Sequence, residues 1–209
     1  MPSLRDYRDR IKSVKSTKKI TSAMKMVAAS KLRRAQEQAE AAQPYAQSMA
    51  QVMERVSANI TIGPESSPLL TGTGSDQKQL IVVVTADRGL CGGFNANLVK
   101  EARKMAYALK AEGKDVSIVC VGRKGFDALQ SDMKSLIEHS FTGLMAKKRI
   151  EYKDAQDIRD YVVSQFEAGA FDVCTLVYNK FRSVMVQEPA RQQLIPFNLD
   201  DVALSLIHI

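Results

Sequence analysis

Histidine and cysteine are scarce in this chain of 209 residues, and the few that occur are scattered. Neither His139 nor His208 has a cysteine or carboxylate partner at the spacing typical of metal ligands, so no metal site or other cofactor is predicted. Cys91, Cys120 and Cys174 are odd in number, lie in apolar contexts and include no CxxC pair, which favours buried reduced thiols over disulfides. No Ser/His/Asp, Cys/His or paired-carboxylate arrangement stands out, so nothing indicates catalysis by this chain alone.

Long apolar runs are absent as well. No window approaches the roughly 18 to 20 apolar residues needed to cross a bilayer, and the basic N-terminus lacks the apolar core of a signal peptide. Hydrophobic residues make up 45% and charged residues 25% of the chain, which is typical of a soluble globular protein. These features predict a protein that folds in the cytoplasm and could dock on a membrane-bound partner.

Glycine does not occur between Leu4 and Ile60, a segment rich in good helix formers such as Ala, Met, Lys, Gln and Glu. Ser3 and Asp6 have the spacing of a capping box, and an acidic residue there also suits the helix dipole. The sequence therefore predicts that residues 1–60 form one long basic helix. Its length would be about 80 Å, since each helical residue adds about 1.5 Å.

The apolar residues of this helix indicate what packs on it. They follow alternating steps of four and three, as in a coiled-coil seam, at Ala28, Leu32, Ala35, Ala39, Ala42, Ala46, Met49, Met53, Val56 and Ile60. A stripe nearer the N-terminus, beginning at Leu4, continues only after a three-residue phase slip, and a mild kink is expected at Pro44. Because an alanine-lined helix of this length is not stable alone, a second long helix is required, and the present sequence does not contain one.

Positive charge is concentrated in the first part of the helix. Between Arg5 and Arg34 there are eleven Lys or Arg against two Asp, a net charge of +9, whereas the rest of the chain is close to neutral. An ordinary charge run is the solvated face of a helix. Here the charges are dense and of one sign, and like charges four residues apart, such as Lys15 and Lys19, repel each other. An acidic partner is therefore predicted.

A linker rich in Gly, Pro, Ser and Thr is predicted over residues 61–79 and a globular body over residues 80–198. Strands are predicted over residues 80–85, 115–121 and 171–178, helices over 95–112, 124–129 and 153–168, and an antiparallel edge over 183–187 and 192–197. Strands that alternate with helices predict an α/β body with a mainly parallel, Rossmann-like sheet.

A glycine-rich loop follows the first predicted strand and contains Arg88, Gly89, Cys91, Gly92 and Gly93. Such a strand-to-helix turn can bind phosphate, but its glycines match neither GxGxxG nor a P-loop. A tight turn whose glycines let the backbone pack closely against a neighbouring element is the favoured interpretation. A nucleotide site remains the alternative.

Two motifs carry a resemblance to a known family. Residues 11–34, IKSVKSTKKITSAMKMVAASKLRR, closely resemble the N-terminal helix of the gamma subunit of F-type ATP synthases, and residues 88–95, RGLCGGFN, resemble that family's signature after the first strand. The resemblance covers residues 1 to about 204, including Tyr178-Asn179-Lys180-Phe181 after the third strand.

The resemblance implies a rotor that performs no bond chemistry. In this family the N-terminal helix pairs with a C-terminal helix inside a hexamer of alpha and beta subunits, and the body contacts the epsilon subunit and the membrane ring of c subunits. Proton flow turns the ring and the shaft, which drives the beta catalytic sites through their open, loose and tight states. By this resemblance the candidates for the hexamer-facing region are Lys18, Lys19, Met24, Lys25 and Met26. The loop residues Arg88, Gly89, Cys91, Gly92 and Gly93 receive a structural role only.

The chain departs from the family pattern near residue 204. The family's C-terminal helix, about 80 residues, is missing, residues 199–209 are interpreted as a truncated tail, and residues 205–209 are expected to be non-native. The absence of an inserted cysteine pair favours a bacterial member over the redox-regulated chloroplast form. Such a member would be peripheral on the cytoplasmic face of the plasma (inner) membrane.

Two rival functions come from other classes. A basic stretch that leads into heptads is the layout of basic-zipper proteins, although Lys25 and Leu32 stand where that motif has Asn and Cys or Ser. Steep salt-dependent binding to duplex DNA would support this rival, whereas the gamma resemblance implies no nucleic-acid partner. A nucleotide-binding α/β enzyme is the other rival, and titration of the body with ATP or a dinucleotide would test it.

Overall fold

A computed structural model describes residues 3–59, 67–144, 150–183 and 186–197. The chain divides into two units, one before and one after the boundary between Val56 and Ser57. The predicted tail, residues 199–209, residues 61–66 of the predicted linker and Ile60 at the end of the predicted helix lie outside the described residues. None of the described helices is both long and apolar enough to cross a membrane.

The first unit is formed by the helix α1, Leu4–Asn59, whose last three residues lie beyond the unit boundary and which continues through Pro44. Its start is capped as predicted, because the Ser3 backbone N–H donates to the Asp6 carboxylate at 2.7 Å and the Asp6 N–H donates to the Ser3 hydroxyl at 3.3 Å. The hydrogen bond from the Ser3 backbone, followed by one from the Ser3 hydroxyl at 2.9 Å, lowers the pKa of Asp6 below its ordinary value. The capping pair satisfies backbone donors that no helical carbonyl can reach and so fixes where α1 begins.

The second unit is built on a five-stranded sheet. Its strands are β1 Lys78–Val84, β2 Asp115–Val121, β3 Ile137–Phe141, β4 Val173–Phe181 and β5 Gln187–Ile195, in the spatial order β3-β2-β1-β4-β5. The pairs β1–β2, β1–β4 and β2–β3 are parallel, and β4–β5 is antiparallel. The mainly parallel α/β sheet is the predicted one, and the long N-terminal helix is also confirmed.

Helices connect the parallel strands and cover the sheet. A short helix, α2 Pro68–Thr71, precedes β1, and the connecting helices are α3 Phe94–Ala111, α4 Arg123–Leu129 and α5 Tyr152–Glu167, with a short 3-10 helix at Lys134–Leu136. Alternate residues of β1 belong to two hydrophobic clusters. Ile81 and Val83 pack with residues of α3 and α4, whereas Leu80 and Val82 pack with residues of α5. This explains why β1 reads as a continuous apolar run: both of its faces are buried.

The edge strands were the part of the sheet that the sequence did not predict correctly. Strand β3 was missed, because it has only five residues and carries the polar sequence Glu138-His139-Ser140 at its centre. The segments predicted at 183–187 and 192–197 overlap only the two ends of one strand, β5 Gln187–Ile195, whose centre contains Pro189 and Arg191. Residues of low strand propensity are tolerated there because an edge strand leaves one side unpaired.

The ends of β1 and β2 approach each other at Gly122, which precedes α4. Thr85, which is buried, donates its backbone N–H to the Val121 carbonyl at 2.7 Å, and its hydroxyl accepts from the Gly125 N–H at 2.8 Å. A Cβ atom on Gly122 would lie 2.1 Å from the Thr85 carbonyl oxygen, and the φ of Gly122 is 102°. Only glycine fits this crossing, for reasons of both space and backbone conformation.

At the opposite end of β1, Asp172 fastens part of the predicted linker to the body. Its carboxylate accepts hydrogen bonds from the Thr73 hydroxyl at 2.8 Å, the Ser75 hydroxyl at 3.0 Å and the Lys78 backbone N–H at 2.9 Å. The hydrogen bond from the Lys78 backbone, followed by that from Thr73, lowers the pKa of Asp172 below its ordinary value. Residues 73–78 are therefore held by one carboxylate that precedes β4.

Replacing Gly122 with alanine is expected to destabilise the second unit by about 3 kcal/mol or more, because the clash with Thr85 adds to the strain of a positive φ. The matched control is Gly113→Ala, where φ is 78° but no atom lies within 4 Å of the added Cβ, so about 1 kcal/mol is expected. The measurement is urea-dependent hydrogen exchange of the β1 amides. Equal losses for the two variants would contradict the close approach.

Replacing Asp172 with asparagine is expected to cost about 1–3 kcal/mol near pH 7, because charge-assisted hydrogen bonds are lost. Since the folded-state pKa of Asp172 is depressed, its stabilisation is present above the ordinary pKa of 3.8 and is lost as the pH falls through the lower folded-state value. The difference between variant and wild type should therefore shrink below about pH 3.8.

The same exchange measurement at pH 7 and pH 3 checks the effect of Asp172→Asn. Asp76→Asn is the control, because Asp76 is exposed and pairs with Lys114 at 2.7 Å, an arrangement worth about 1 kcal/mol or less. A cost for Asp172→Asn that does not change with pH would contradict the role of the carboxylate charge.

Candidate partner-binding surfaces

The five candidate residues on α1 are all exposed, with Met24 at 59% and Met26 at 67%. Lys18 and Lys25 are one heptad apart and share a face, and Lys19 and Met26 form a second such pair about 100° around the helix. Met24 lies about 100° or more from each of the other four residues. The five residues therefore surround much of the helix and do not form a single face.

The positive charge of α1 is largely uncompensated within its own unit. Arg33 Nε pairs with Glu37 Oε1 at 2.9 Å, and both side chains are exposed. The described residues provide no acidic partner for Lys18, Lys19 or Lys25. The interaction that would offset their mutual repulsion must therefore come from outside the described residues.

A shallow groove along α1 combines this charge with apolar surface. It is lined by Val14, Thr17, Lys18, Thr21, Ser22 and Lys25. The hydroxyls of the two threonines donate to carbonyls of their own helix, Thr17 to Ser13 at 3.1 Å and Thr21 to Thr17 at 2.8 Å. The two threonine hydroxyls are therefore already engaged in hydrogen bonds. The charged groups that the groove offers to a partner are the ammonium groups of Lys18 and Lys25.

Apolar side chains of α1 also face solvent. The N-terminal stripe of Leu4, Tyr7, Ile11 and Val14 is exposed, and so are Leu32, Met49 and Val56 of the predicted seam. Among the described residues, no helix besides α1 is longer than the 18 residues of α3. A helix whose seam is uncovered requires burial against a partner to be stable in water.

The glycine-rich loop of the second unit is organised by two polar side chains at its ends. The first is Asp87, directly after β1. Its Oδ1 accepts from the Arg123 backbone N–H at 2.9 Å and from the Gly143 N–H at 3.0 Å. One carboxylate oxygen thus ties the end of β1 to the segments that follow β2 and β3.

The second organising side chain is Asn95, in the first turn of α3. Its Oδ1 accepts from the Ala86 N–H at 2.9 Å, and its Nδ2 donates to the Arg88 carbonyl at 3.4 Å and to Cys91 Sγ at 3.1 Å. The Phe94 N–H closes the turn by donating to the Cys91 carbonyl at 3.3 Å. The loop is therefore held at both ends and across its middle.

Close packing, the predicted role of the glycines in this loop, is present at Gly93, where a Cβ would lie 3.1 Å from Asn97 Nδ2, but not at Gly92 or Gly89. Gly92 has a φ of 60° and nothing within 4 Å of a Cβ, and Gly89 would make only an ordinary contact with the Lys124 side chain at 3.7 Å. At Gly92 the requirement is backbone conformation, and close packing is not involved. The closest approaches of a glycine to a neighbouring segment are at Gly122 and Gly125, which both lie against Thr85. The sequence did not indicate these contacts.

Cys91 is exposed, so the prediction that all three thiols are buried was wrong at this position, although Cys120 and Cys174 are buried. Burial raises the pKa of the Cys120 and Cys174 thiols to about 12. The partners of Cys91 are an amide and a carbonyl, neither of which can accept its proton as a base, so the arrangement offers no activated nucleophile. Nor do the described residues contain a group of three or more His, Cys, Asp or Glu that could hold a metal ion.

Asp87 and Asn95 are the organising residues that sequence reasoning did not single out. A weak signal was available, because both are polar side chains that flank the glycine-rich turn between a strand and a helix. The partners of Asp87, which are Arg123 and Gly143, are 36 and 56 residues away from it. No local pattern reports contacts at that separation.

Comparisons with known proteins agree across most of the chain. A sequence model of the family described as "ATP synthase" matches residues 3–205. The ATP synthase gamma chain of Sinorhizobium fredii is 51% identical over 203 residues, which cover 97% of this chain and 69% of that relative. The ATP synthase gamma chain of Maricaulis maris is 55% identical over 196 residues, which cover 94% of this chain and 66% of that relative. The chain thus spans about two thirds of the length of these relatives.

Solved structures agree with the sequence matches. A chain of the central stalk and c-ring structure of the Tetrahymena thermophila mitochondrial ATP synthase has a TM-score of 0.56 at 26% identity, over 85% of this chain and 72% of that one. A chain of the Euglena gracilis mitochondrial ATP synthase rotor also has a TM-score of 0.56, at 20% identity over 97% of this chain and 66% of that one, and so supports the fold alone. Together, the family match and the identities of 51% and 55% show that the chain belongs to the ATP synthase gamma chain family.

Proposed function

We propose that this chain turns as the central-stalk rotor of an F-type ATP synthase and couples proton flow through the membrane sector to ATP synthesis or hydrolysis. The chain is a non-catalytic subunit, since it belongs to the gamma chain family. Its contribution is mechanical: rotation of α1 inside an alpha/beta hexamer forces the beta catalytic sites through their open, loose and tight states.

The observation that carries this proposal is α1 itself, a 56-residue basic helix in a chain that matches the gamma family over residues 3–205. A helix of this length is about 80 Å long, enough to extend through a protein hexamer. Its exposed seam supports pairing with a second long helix, and its net positive charge supports acidic surroundings. Neither feature is needed by a protein that only binds a small molecule.

Electrostatics suggest how α1 meets the hexamer. The unpaired ammonium groups of Lys18, Lys19 and Lys25 would face acidic loops of the beta subunits, and Met24 and Met26 would supply apolar contact. Exposed ion pairs are each worth about 1 kcal/mol or less, and salt screens them. Weak, distributed pairs of this kind suit a rotating contact, because no single pair has to be broken at great cost as the helix turns.

The second unit would connect the shaft to the membrane sector. We assign it contacts with the epsilon subunit and with the c-subunit ring. The glycine-rich loop with Arg88, Gly89, Cys91, Gly92 and Gly93 would shape the end of the sheet. The bacterial relatives support a location at the cytoplasmic face of the bacterial plasma membrane, peripheral to the bilayer through the complex.

Reversing the charge of the three lysines tests the hexamer contact. The triple variant Lys18→Glu, Lys19→Glu, Lys25→Glu is expected to lower ATP-driven proton pumping by about tenfold, because three attractions of up to about 1 kcal/mol each become repulsions. Pumping is measured in membrane vesicles that contain the assembled complex, together with the rate of ATP hydrolysis.

The matched control is the same triple change to arginine, which keeps the charge and should keep pumping near the wild-type rate. Loss of pumping in the arginine variant as well would indicate that charge is not what these positions contribute. Pumping that is unchanged in the glutamate variant would remove the three lysines from the proposed interface.

A further inference from the structure

The seam of α1 keeps one heptad phase from Leu4 to Val56. Its apolar residues move to other positions after Val14, but two whole heptads separate Val14 from Ala28, where the alanine-rich stretch begins. The seam positions between them are polar or charged, at Lys18, Thr21 and Lys25. An unbroken seam of about seven heptads is typical of two helices that wind around each other.

Most of this seam faces solvent. Leu4 is 80% exposed, Val14 68% and Val56 43%, and the alanines at seam positions from Ala28 to Ala46 are exposed as well. A seam of this length stabilises a helix only when a second helix covers it. A second copy of α1 has the required length and carries the same repeat.

Charge selects the orientation in which two copies of α1 can pair. The segment between Arg5 and Arg34 has a net charge of +9, from eleven basic and two acidic residues, whereas residues 35–59 have a net charge of −2, from three Glu and one Arg. A parallel pair would place the two basic segments side by side, which costs free energy because like charges repel. An antiparallel pair instead places each basic segment against the acidic segment of the other copy. Antiparallel pairing is therefore favoured.

One antiparallel register joins the two seams along their full length. In an antiparallel coiled coil, an a residue of one helix packs beside a d residue of the other. A register that sets Leu4 opposite Val56 meets this condition at every step. Its facing pairs include Tyr7 with Met53, Ile11 with Met49, Val14 with Ala46 and Ala28 with Leu32.

The same register places small residues opposite the polar part of the seam. The facing pairs there are Lys18 with Ala42, Thr21 with Ala39, and Lys25 with Ala35. An alanine leaves room for the methylene stem of a lysine to lie across it while the ammonium stays in water. The Thr21 hydroxyl already donates to the Thr17 carbonyl at 2.8 Å, so it loses no hydrogen bond when a partner helix covers it.

We propose that two copies of this chain, when free of the ATP synthase complex, associate through α1 as an antiparallel coiled coil. The occupant of the seam is the α1 of the second copy, with Leu4 of each helix opposite Val56 of the other. The inference goes beyond the proposed function, which concerns the chain inside the complex. The dimer and the rotor use the same seam and are therefore alternative states.

Cysteine cross-linking tests the orientation and the register. In a chain with Cys91→Ser, the double variant Ile11→Cys, Met49→Cys is expected to form a disulfide-linked dimer on mild oxidation, because these two positions face each other. Each single variant should stay unlinked, since identical positions of the two copies lie about 57 Å apart at about 1.5 Å per residue. Linked dimers of the single variants would indicate a parallel pair and would overturn the proposal. A double variant that does not link would also overturn it.

Sedimentation equilibrium of the full chain tests whether the dimer forms without a cross-link. At about 10 µM the chain is expected to have twice the mass of one copy, because about seven heptads are buried on association. A chain that remains monomeric up to about 100 µM would contradict the proposal.

Two identical substitutions on α1 test whether the seam holds the dimer. Val14→Ser is expected to raise the dissociation constant of the dimer by about tenfold to a hundredfold, since a two-fold symmetric interface loses two buried valines. Val27→Ser is the matched control, because Val27 is also exposed, at 56%, but lies outside the seam, and its dissociation constant should stay within about threefold of wild type. Equal dissociation constants for the two variants would show that the seam is not the interface. The pumping of the lysine variants tests the proposed function independently, so the two proposals fail in distinguishable ways.

Discussion

Helix α1 exposes both an apolar seam and a dense positive charge, and a single helix in water is stabilised by neither. Its capping pair, Ser3 and Asp6, fixes where the helix begins but covers none of its apolar seam. Most of the free energy that keeps 56 residues helical must come from burial of the seam and from compensation of the charge. The first unit therefore depends on partners, and this dependence is the physical basis of its proposed role in the stalk.

The second unit has a complete core of its own, with hydrophobic clusters that include both faces of β1. The carboxyl ends of its parallel strands lie at the same end of the sheet. There Thr85 contacts Gly122, and Asp87 links the segments that follow β1, β2 and β3. The same end of the sheet carries the exposed loop with Leu90 and Cys91. Rigid packing beneath a strained, exposed loop is an arrangement suited to recognition.

The features that sequence predicted correctly are those with strong local periodicity. The long helix followed from the lack of glycine and the steps of four and three, and β2 was predicted with the bounds that the structure has, because both of its faces are buried. Strand β3 and the full extent of β5 could not be predicted, since polar residues such as Glu138 and Gln192 are accepted at sheet edges by pairing on one side. The roles of Asp87 and Gly122 depend on contacts between distant segments. The left-handed backbone conformation of Leu90 is likewise set by its loop, and it could not be predicted because leucine rarely adopts a positive φ.

The central claim, that the chain acts by turning, is tested most directly by observing rotation. A probe can be attached to a single cysteine introduced at the exposed Tyr107 of α3, in a chain where Cys91 is replaced by serine, because the other two thiols are buried. With the hexamer immobilised, the account predicts unidirectional rotation of the probe that requires ATP and stops when the chain is cross-linked to a beta subunit. ATP hydrolysis that proceeds at the normal rate while the probe stays still would contradict it.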